Sequence, residues 1–337
     1  MRILLDVMGG DLPPRELVKG GVAAGHRLNV DIVFSGDEGA IKSALLKLHE
    51  REGDKFSILP SSQSISMTEP PVRAVRLKKD SSLVNGLVAL KERRVDAFVS
   101  PGNTGAVVVG SVFIIGRIAG IPRPGIAASI PTVSGREIVV IDVGANVDCT
   151  PEHLLHFALM GATYARDVLS IPSPKIGLLN IGTEREKGNK VIHRVYDLLA
   201  DGPLPFAGNV EGHHLLTERP VDVVVCDGFI GNVFLKTLEG GISAMSSMIK
   251  KGANRNLQGK LGGLMLKPVF FSLRKKLAYN RSGGAPLLGV DGTVVIAHGR
   301  SDALAIESAV DVAYRAVESH LNETMARGVS GWDSNGS

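Results

Sequence analysis

The sequence is poor in cysteine and in aromatic residues. Its two cysteines, Cys149 and Cys226, lie in neither a CxxC pair nor a cysteine and histidine ligand spacing, so we expect no disulfide framework and no structural zinc site. Aromatic residues make up 4% of the 337 residues, whereas glycine occurs 40 times, well above its usual share of ~7%. The composition therefore predicts an α/β protein whose core is built from Val, Ile, Leu and Ala and whose chain makes many tight turns.

Long apolar runs are also absent. The longest, "GAVVVGSVFIIG", ends at Arg117, short of the ~20 residues that a membrane-spanning helix needs. The first residues, "MRILLDVMGGD", reach Asp6 after only three apolar positions, too early for the apolar region of a signal peptide. We therefore expect a protein of the reducing cytoplasm. The formal net charge of +4 mildly favours an acidic partner or surface, and we expect no nucleic-acid partner.

Short β-branched runs alternate with amphipathic segments of helix length. Strands are predicted at "RILLDV", "VDIVFSG", "FSILPS", "VDAFVSPG", "EIVVIDVG", "KIGLLNIG", "VDVVVCDG" and "TVVIAHG". Helices are predicted at about residues 15–27, 38–51, 82–94, 104–116, 151–169, 189–200, 232–252 and 301–327. Most of these strands are apolar throughout, which is typical of a mostly parallel sheet covered on both faces. We therefore predict a three-layer α/β/α fold forming one catalytic unit over residues 1–330, with a protruding amphipathic helical segment at 253–280 and a frayed tail at 331–337.

Glycines and small polar residues follow strand after strand. These turns read "DVMGGD", "SGDEG", "SPGNTGA", "DVGAN", "NIGTE", "GNVEG" and "CDGFIGN". In a parallel sheet such turns meet at the carboxyl edge, where open α/β folds bind ligands, and glycine lets backbone N–H groups approach a ligand closely. Any α/β protein needs some glycine turns, but seven of them together predict a broad anion-binding cleft at one edge of the sheet.

The motifs of several common enzyme classes are missing. No strand is followed by GxGxxG, and "GTEREKGNK" departs from the phosphate-loop pattern because its second glycine comes one position late and precedes Asn189 instead of a lysine. HExxH and GxSxG are absent as well. The strand-end residues Asp6, Asp142 and Asp227 either meet as metal ligands or, as is more common, hydrogen-bond the turns that follow them.

Cysteine and histidine give no clear catalytic signal either. Cys149 and Cys226 are better explained as small buried residues than as nucleophiles. His213 and His214 are adjacent in what we expect to be an extended segment, so their rings should point to opposite sides and not share a metal ion. The sequence therefore predicts no metal site.

Eight segments carry a resemblance to one family. They read "LLDVMGGDLPP", "SMTEPPVRAVR", "FVSPGNTGA", "DVGAN", "LLNIGTEREKGN", "VEGHHL", "DGFIGNVFLKTLEG" and "GGAPLLGVDGTVVIAHGRSD". In this order, and over nearly the whole chain, the sequence resembles the bacterial phosphate acyltransferases of phospholipid synthesis. So many motifs in one order make the resemblance specific.

The resemblance implies an activity and a set of partners. A long-chain acyl group would move from the phosphopantetheine thiol of acyl carrier protein to inorganic phosphate, giving an acyl phosphate. A membrane acyltransferase that loads glycerol 3-phosphate would then consume this product, so that enzyme is an implied functional partner. The family also implies a homodimer without a metal or another cofactor, and a fold like those of the phosphotransacetylases and of the isocitrate and isopropylmalate dehydrogenases.

The same resemblance assigns catalytic roles to Lys187 and Asn232. Phosphate is itself a nucleophile and a thioester is an activated acyl donor, so the site has to supply a phosphate cradle and donors for the oxyanion instead of an enzyme nucleophile. From the residues alone, a solvated side chain is the more common role for a lysine such as Lys187, and the N-cap of a helix is the favoured role for Asn232; the matching family positions favour catalysis instead. The cradle candidates are Gly9, Gly10, Asn103, Thr104, Gly144 and Asn146.

The segment "GKLGGLMLKPVFFSLRKKLAY", residues 259–279, places apolar residues at helical spacing beside several basic ones. Candidate membrane contacts are Leu266, Phe270, Leu273 and Leu277. An interfacial helix of this kind binds an anionic membrane surface, which predicts peripheral association with the inner face of the cell membrane. The same pattern fits a dimer contact or a lid over the acyl chain.

Other functions stay open from the residues alone. An acyltransferase for small acyl-CoA donors and a decarboxylating dehydrogenase would use the same kind of scaffold, although the dehydrogenase needs an aspartate metal cluster and a nicotinamide site, for which the sequence gives no sign. A peripheral scaffold that organises lipid enzymes through 259–279 is the non-enzymatic alternative. Phosphate-dependent formation of acyl phosphate distinguishes among them.

Overall fold

The computed structural model describes residues 1–218, 221–254, 262, 264–266 and 283–333, with the backbone alone for 331–333. In this part of the chain eleven strands form one sheet. The strands are β1 (Arg2–Asp6), β2 (Asp31–Gly36), β3 (Phe56–Pro60), β4 (Ala97–Ser100), β5 (Gly125–Pro131), β6 (Glu137–Ile141), β7 (Ile176–Asn180), β8 (Phe206–Glu211), β9 (Val223–Val225), β10 (Ala285–Leu288) and β11 (Thr293–Ile296).

Apolar side chains are buried on both faces of the sheet. Along β1, Ile3 and Leu5 belong to a core on one face, whereas Leu4 belongs to the core on the other face. The core that contains Leu4 extends across the whole sheet and also includes Val140 of β6, while the opposite face carries two separate cores. Strands with both faces buried read as apolar throughout. The predicted three-layer α/β/α fold is therefore confirmed.

Helices follow the strands as the alternating pattern predicts, except that two short ones, Pro71–Leu77 and His214–Thr217, lie outside the predicted segments. The helices are α1 (Pro14–Leu28), α2 (Glu38–Lys47), α3 (Pro71–Leu77), α4 (Ser82–Lys91), α5 (Thr104–Gly110), α6 (Pro151–Asp167), α7 (Lys190–Ala200), α8 (His214–Thr217), α9 (Gly228–Ala253), α10 (Ala303–Glu318) and α11 (Leu321–Asp333). A π-helical turn at Ser111–Ile115 continues α5. The helix predicted at 301–327 is divided into α10 and α11 because His320, between them, has a left-handed backbone with φ of 51°. α11 reaches Asp333, inside the tail that we expected to fray.

The sequence pattern does not reveal three of the strands. β5 reads "GIAASIP", β8 "FAGNVE" and β10 "APLL". Glycine, alanine and proline have low β-propensity, so such segments give little local signal. They are strands because neighbouring strands supply hydrogen-bond partners and because their side chains pack into the cores. In this case tertiary packing overrides local preference.

The sheet changes direction in its middle. The strand order is β3-β2-β1-β4-β11-β10-β5-β6-β9-β7-β8, in which the pairs β10·β11, β10·β5 and β5·β6 are antiparallel and the others parallel. After three reversals, β6, β7, β8 and β9 run opposite to β1, β2, β3, β4 and β11. We call the carboxyl ends of β1 to β4 and β11 the first edge, and those of β6 to β9 the second edge. The expectation that every glycine turn lies at one edge is therefore wrong.

Candidate active site

At the first edge, Asp6 organises the turn that follows β1. Its buried carboxylate accepts hydrogen bonds from the backbone N–H groups of Met8 and Gly9, at 3.0 and 3.1 Å, and from the hydroxyl groups of Ser82 and Ser100, at 2.6 and 2.7 Å. Burial raises the pKa of Asp6, and the four hydrogen bonds partly offset this rise. The turn-forming role predicted as the more common one is confirmed for this aspartate.

Asn103, a predicted cradle residue, is occupied by hydrogen bonds within the protein. Its Oδ1 accepts from the backbone N–H of Ala106 at 3.0 Å and so caps α5. Its Nδ2 donates to the carbonyl oxygens of Ser66, Met67 and Glu69 at 3.1 to 3.2 Å. The side chain therefore ties the segment before α3 to the start of α5, and it has no further donor to offer a ligand.

The other cradle candidates of the first edge lie where three turns meet. A Cβ atom on Gly9 would lie 2.7 Å from the Cα of Gly102, and one on Gly10 would lie 3.2 Å from the carbonyl oxygen of Gly299. The turns after β1, β4 and β11 therefore pack together more closely than larger residues would allow. Thr104 is exposed at the first position of α5, where its hydroxyl group is open to solvent.

At the second edge, Asp142 plays the same organising role after β6. Its buried carboxylate accepts hydrogen bonds from the backbone N–H groups of Ile126, Gly144, Ala145 and Asn146, at 2.7 to 3.1 Å, and from the Asn146 side chain at 2.9 Å. Burial raises the pKa of Asp142 against the effect of these bonds. Asp142 is therefore an acceptor that shapes the loop and not a free base.

The loop that Asp142 shapes brings its backbone against Asn232. Asn146 also donates from Nδ2 to the carbonyl oxygen of Pro124 at 2.7 Å, so its amide, like that of Asn103, is used internally. Gly144 has a φ of 148°, and a Cβ atom there would lie 3.2 Å from Nδ2 of Asn232. The predicted cradle residue Gly144 therefore contributes a close backbone approach that a larger residue would disturb.

Asn232 does not cap α9. The helix begins at Gly228, four residues before the predicted start, and its N-cap is Asp227, whose carboxylate accepts from the backbone N–H of Ile230 at 2.8 Å. The Asn232 side chain is exposed, and its amide has no hydrogen bond within the described part of the chain. Of the two roles that the sequence left open, the cap is excluded, and the amide is free to meet a ligand.

Lys187 lies on the loop between β7 and α7. Its Cγ and Cε atoms would be 3.0 and 3.3 Å from a Cβ atom on Gly182, so the side chain folds over that glycine. The residue is exposed, and no ion pair of its ammonium group is found among the described residues. Arg185 on the same loop differs, because it pairs with Asp197 at 2.7 Å and lies 5.6 Å from the centroid of the Tyr196 ring. Lys187 is therefore a cation left available to a ligand.

Hydrogen bonds from side chains to backbone carbonyl groups fix this loop. Asn180 donates to the carbonyl oxygen of Lys187 at 3.0 Å, and Asn209 donates to that of Glu184 at 2.7 Å. The same Glu184 oxygen accepts from the backbone N–H of Lys187 at 3.2 Å. Since β7 pairs with β9 and β9 pairs with β6, the loops after these three strands are neighbours. The second edge thus carries a free ammonium group on the loop after β7 and a free amide near the start of α9, the helix after the neighbouring strand β9.

The two thiols near this edge are not nucleophiles at neutral pH. Burial, together with the carboxylates of Asp142 and Asp227, raises the pKa of the half-buried Cys149 to about 12 and that of the buried Cys226 well above its usual value. A thiol reacts as its thiolate, which is scarce at neutral pH when the pKa is this high. The expectation that neither cysteine is a nucleophile is consistent with these environments.

The strand-end aspartates do not form a metal cluster. Asp6 lies at the first edge, whereas Asp142 and Asp227 lie at the second edge, and each one accepts hydrogen bonds from the turn that follows it. Among the described residues these three carboxylates therefore have structural roles. The aspartate cluster that a decarboxylating dehydrogenase needs is not formed by them.

The geometry predicted for His213 and His214 is wrong. β8 ends at Glu211, and His213 already has helical backbone angles, with φ of −73° and ψ of −27°, directly before α8. The segment is therefore a turn and not extended. The two ring centroids are 3.8 Å apart, and donor atoms of Glu211, His213 and His214 all lie within 4.8 Å of one another.

A basic cavity next to the second edge is not evident from the sequence. Its volume is ≈ 340 Å³, and it is lined by Val112, Arg117, Pro122, Arg123 and Pro124. Arg117 donates a hydrogen bond to the carbonyl oxygen of Pro122. Because the carbonyl oxygen of Pro124 accepts from Asn146, the cavity adjoins the loop after β6. These arginines lie just before β5 along the chain. Because the sequence pattern does not reveal β5, it gives no signal that they lie beside the candidate site.

The predicted membrane contacts are only partly covered by the structure. Residues 264–266 are helical, and Leu266 is exposed. Phe270, Leu273 and Leu277 lie outside the described residues, as does most of the segment 253–280. No helix in the described ranges has the length and hydropathy needed to cross a membrane.

Solved structures of several enzymes share the fold. A phosphotransacetylase from Streptococcus pyogenes superimposes with a TM-score of 0.61 at 16% identity, covering 94% of each chain. A branched-chain phosphotransacylase from Enterococcus faecalis gives 0.59 at 13% identity, and a 4-hydroxythreonine-4-phosphate dehydrogenase from Klebsiella pneumoniae gives 0.53 at 12%; each comparison covers 94% of this chain and 99% of the other. At these identities the likeness concerns the fold alone, and it confirms the expected similarity to phosphotransacetylases.

Sequence relatives define the family. The family model described as "Fatty acid synthesis protein" matches residues 1–324. Proteins named phosphate acyltransferase from Dictyoglomus turgidum and from a Geobacillus species are each 45% identical, over 331 and 330 residues, and each match covers 98% of both chains. The chain therefore belongs to the phosphate acyltransferase family and is an enzyme of that class, as the resemblance of its motifs predicts.

Proposed function

We propose that this enzyme transfers a long-chain acyl group from the thioester of acyl carrier protein to inorganic phosphate, and that the chemistry takes place at the second edge. The observation that supports this most directly is the pair of uncommitted donors there: the Lys187 ammonium group lies on the loop after β7, and the Asn232 amide lies near the start of α9, which follows the neighbouring strand β9. Other polar side chains of the same edge, such as those of Asp142 and Asn146, are occupied by internal hydrogen bonds.

The reaction needs no nucleophile from the enzyme. An oxygen of phosphate attacks the thioester carbonyl carbon, the carbonyl oxygen becomes an oxyanion, and the C–S bond then breaks to give acyl phosphate and the thiolate of the carrier. Asn232 donates a hydrogen bond to the oxyanion, and Lys187 offsets the charge of phosphate and of the transition state. A thiol with a pKa near ~8.5 leaves as a thiolate with little help, and Lys187 can supply the proton that it later takes up.

The basic cavity beside the loop after β6 supports an anionic donor. Arg117 and Arg123 line it, and arginine binds phosphate groups well because its planar guanidinium group offers several donors. The prosthetic group of acyl carrier protein contains a phosphodiester, and carrier proteins are acidic. We propose that the two arginines help to position that donor.

We propose that the cradle candidates of the first edge form a second anion-binding position. Gly9 and Gly10 keep the turn there tight, Asn103 fixes the start of α5, and Thr104 keeps an exposed hydroxyl group at the start of that helix. Because the two edges are opposite in one chain, a homodimer is the arrangement that would let both edges serve one site. Thr104→Ala then raises the KM for phosphate, and an unchanged KM would remove the first edge from the site.

The activity can be tested with the purified full-length enzyme. Palmitoyl acyl carrier protein is incubated with and without phosphate, free thiol is followed over time, and acyl phosphate is trapped with hydroxylamine and identified by mass spectrometry. We expect thiol release and acyl phosphate formation to depend on phosphate in equal amounts. Thiol release without phosphate would indicate a thioesterase and would contradict direct attack.

The choice of donor is tested in the same assay. Acetyl-CoA and palmitoyl-CoA are compared with palmitoyl acyl carrier protein at equal concentrations. We expect the carrier-protein thioester to be the best substrate by kcat/KM. A preference for acetyl-CoA would favour a small-acyl transacylase instead, and no turnover with any donor would favour the scaffold function.

We also propose that the protein associates peripherally with an anionic membrane, where a membrane acyltransferase that uses the acyl phosphate would receive it. Along α9, Met245 and Met248 are exposed, and in the helical residues 264–266 Leu264 and Met265 are exposed by 66% and 81%. Exposed apolar side chains of this kind suit an apolar partner, and basic residues in 259–279 favour anionic lipid.

Vesicle co-sedimentation tests this association. The wild type and the variants Leu264→Glu and Met265→Glu are mixed with vesicles of phosphatidylcholine alone or with added phosphatidylglycerol. We expect the wild type to bind the anionic vesicles and each variant to bind them less. If the variants bind equally but change the oligomeric state in analytical ultracentrifugation, the exposed residues form a subunit contact instead.

A further inference from the structure

We propose that Glu211, His213 and His214, in the turn after β8 at the second edge, bind a divalent transition metal ion of the zinc class that takes no part in the acyl transfer. The three residues lie in the turn between the end of β8 and the start of α8. Direct attack by phosphate needs no metal ion, so this inference does not rest on the proposed function and its test is independent of it.

Distances within the cluster already fit a metal centre. Nδ1 of His214 and Oε2 of Glu211 are 3.8 Å apart, and the donor atoms of all three residues lie within 4.8 Å of one another. Two ligands at ~2.1 Å from a tetrahedral zinc ion are about 3.4 Å apart. Small side-chain rotations therefore suffice to bring the three donors to bonding distance, and the backbone does not need to change.

The orientation of His214 supplies a second, independent indication. While Nδ1 faces Glu211, the other ring nitrogen, Nε2, lies 3.7 Å from Oε1 of Glu218. In protein metal sites a ligating histidine commonly donates its second ring N–H to a carboxylate, which fixes the ring and makes it a better ligand. The backbone of Glu218 is fixed beside His214, because its N–H donates to the carbonyl oxygen of His214 at 2.9 Å.

The surrounding elements hold the turn in position before any ion binds. Glu211 is paired with Asn180 in the register of β7 and β8. A Cβ atom on Gly212 would lie 3.3 Å from the ring of Phe234 in α9, so the turn packs directly against that helix. The backbone that carries the donors is therefore part of the sheet and of a packed contact, and little ordering is needed on binding.

The donor set selects the class of ion. Two imidazole nitrogens and one carboxylate suit zinc, nickel or copper ions, whereas calcium and magnesium ions prefer sites made of oxygen alone. Three protein ligands would leave a fourth position for water.

The experiment is a titration of the untagged full-length protein with Zn²⁺ at pH 7.5, followed by calorimetry, and with Co²⁺, followed by its visible absorption. We expect one ion per chain, and a loss of affinity of at least about tenfold in His213→Ala and in His214→Ala. Glu218→Gln should weaken binding less than either. His26→Ala is the matched control, because His26 also contacts a glutamate, Glu50, at 2.6 Å but has no second histidine beside it.

Two results would overturn the assignment. One is Zn²⁺ affinity in the His213→Ala, His214→Ala double variant equal to that of the wild type; the other is no saturable binding by the wild type in the micromolar range. Thermal unfolding of each variant without metal confirms that it is folded. A stabilising shift in Tm on adding Zn²⁺ that occurs in the wild type and in His26→Ala, and is lost in the double variant, supports the site by a second readout.

Discussion

The two edges of the sheet are built alike and differ in what they leave free. At each, a buried aspartate ends a strand, Asp6 at the first edge and Asp142 at the second, and accepts hydrogen bonds from the glycine turn that follows. At the first edge the side-chain amide of Asn103 is also fully engaged in hydrogen bonds within the protein. At the second edge Lys187 and Asn232 keep their donors unpaired among the described residues.

This difference distinguishes a sequence pattern that shapes loops from residues that contribute to function. A strand that ends in aspartate and glycine makes a rigid turn wherever it occurs, because the carboxylate binds backbone N–H groups that would otherwise be unsatisfied. The pattern therefore locates loops but not chemistry. In the proposed function the chemistry depends instead on side-chain donors without internal partners, since these groups can meet charge that develops in a transition state.

The largest expected effect is at the second edge. Lys187→Ala and Asn232→Ala should each lower kcat/KM by about 10²–10³-fold or more, which is the usual cost of removing one oxyanion donor. Neither side chain has a hydrogen-bond partner to lose among the described residues, so the Tm should stay within about 1 °C of the wild type. Phosphate-dependent release of thiol and thermal unfolding measure the two quantities.

Two variants at exposed positions close in sequence to Lys187 and Asn232 serve as controls for the expected loss of turnover. Lys190→Ala removes an exposed lysine at the start of α7, and Thr237→Ala removes an exposed side chain of α9. Both should keep near wild-type turnover. Wild-type turnover in Lys187→Ala and Asn232→Ala together would move the site away from the second edge.

A smaller loss is expected when the backbone near Asn232 is disturbed. Gly144→Ala places a residue with a Cβ atom at φ of 148° and 3.2 Å from the Asn232 amide. Displacement of a catalytic group by a fraction of an ångström should lower kcat/KM by about 10- to 100-fold, and the strained backbone should lower the free energy of unfolding by about 1–3 kcal/mol.

A glycine of α9 gives the control for that variant. Gly240 has no atom within 4 Å of where its Cβ atom would lie, so Gly240→Ala should stabilise the helix slightly, by about 0.5–1 kcal/mol, and leave turnover unchanged. Equal activities of Gly144→Ala and Gly240→Ala would show that the contact between the loop and Asn232 has no catalytic role.

Much of the fold could be predicted from periodicity, because strands buried on both faces leave long apolar runs such as "EIVVI" and "VDVVV". The strands rich in small residues, β5 and β10, could not, and these two make the antiparallel contacts that reverse the sheet. Two unrecognised strands, far apart in sequence, thus decided whether the glycine turns lie at one edge or at two. Strand direction depends on pairing across the sheet, which local sequence does not encode.

For the candidate site, the sequence predicts which residue types are present better than it predicts the role of each residue. "DGFIGN" contains two polar side chains that can cap a helix, and nothing local decides that Asp227 does so and leaves Asn232 free. "EGHH" reads as the continuation of a strand, yet α8 begins at His214. In both cases the outcome depends on where a helix starts, and helix ends are the least certain part of any sequence-based prediction.

At the first edge the expected effect is on stability. Asn103→Ala removes a helix cap and the donor for three backbone carbonyl groups in a buried setting. The free energy of unfolding should fall by about 2–3 kcal/mol, measured by urea denaturation. Thr104→Ala, at the next and exposed position, should change it by less than about 0.5 kcal/mol. An Asn103→Ala variant as stable as the wild type would contradict the structural role that distinguishes the first edge from the second.

The smallest expected effect on turnover concerns the cysteines of the second edge. With a pKa of about 12, Cys149 should react with iodoacetamide at pH 8 about a thousandfold more slowly than an ordinary thiol, as followed by mass spectrometry of the native protein. The pKa of Cys149 is raised first by burial and then by the carboxylates of Asp142 and Asp227, all of which disfavour the thiolate, so the rate should keep rising with pH well beyond 9. Cys149→Ala and Cys226→Ala should keep full turnover, because in the proposed mechanism phosphate attacks the thioester directly. Rapid alkylation that abolishes activity, with protection by the acyl donor, would instead place a thiol in the reaction and require an acyl-enzyme intermediate.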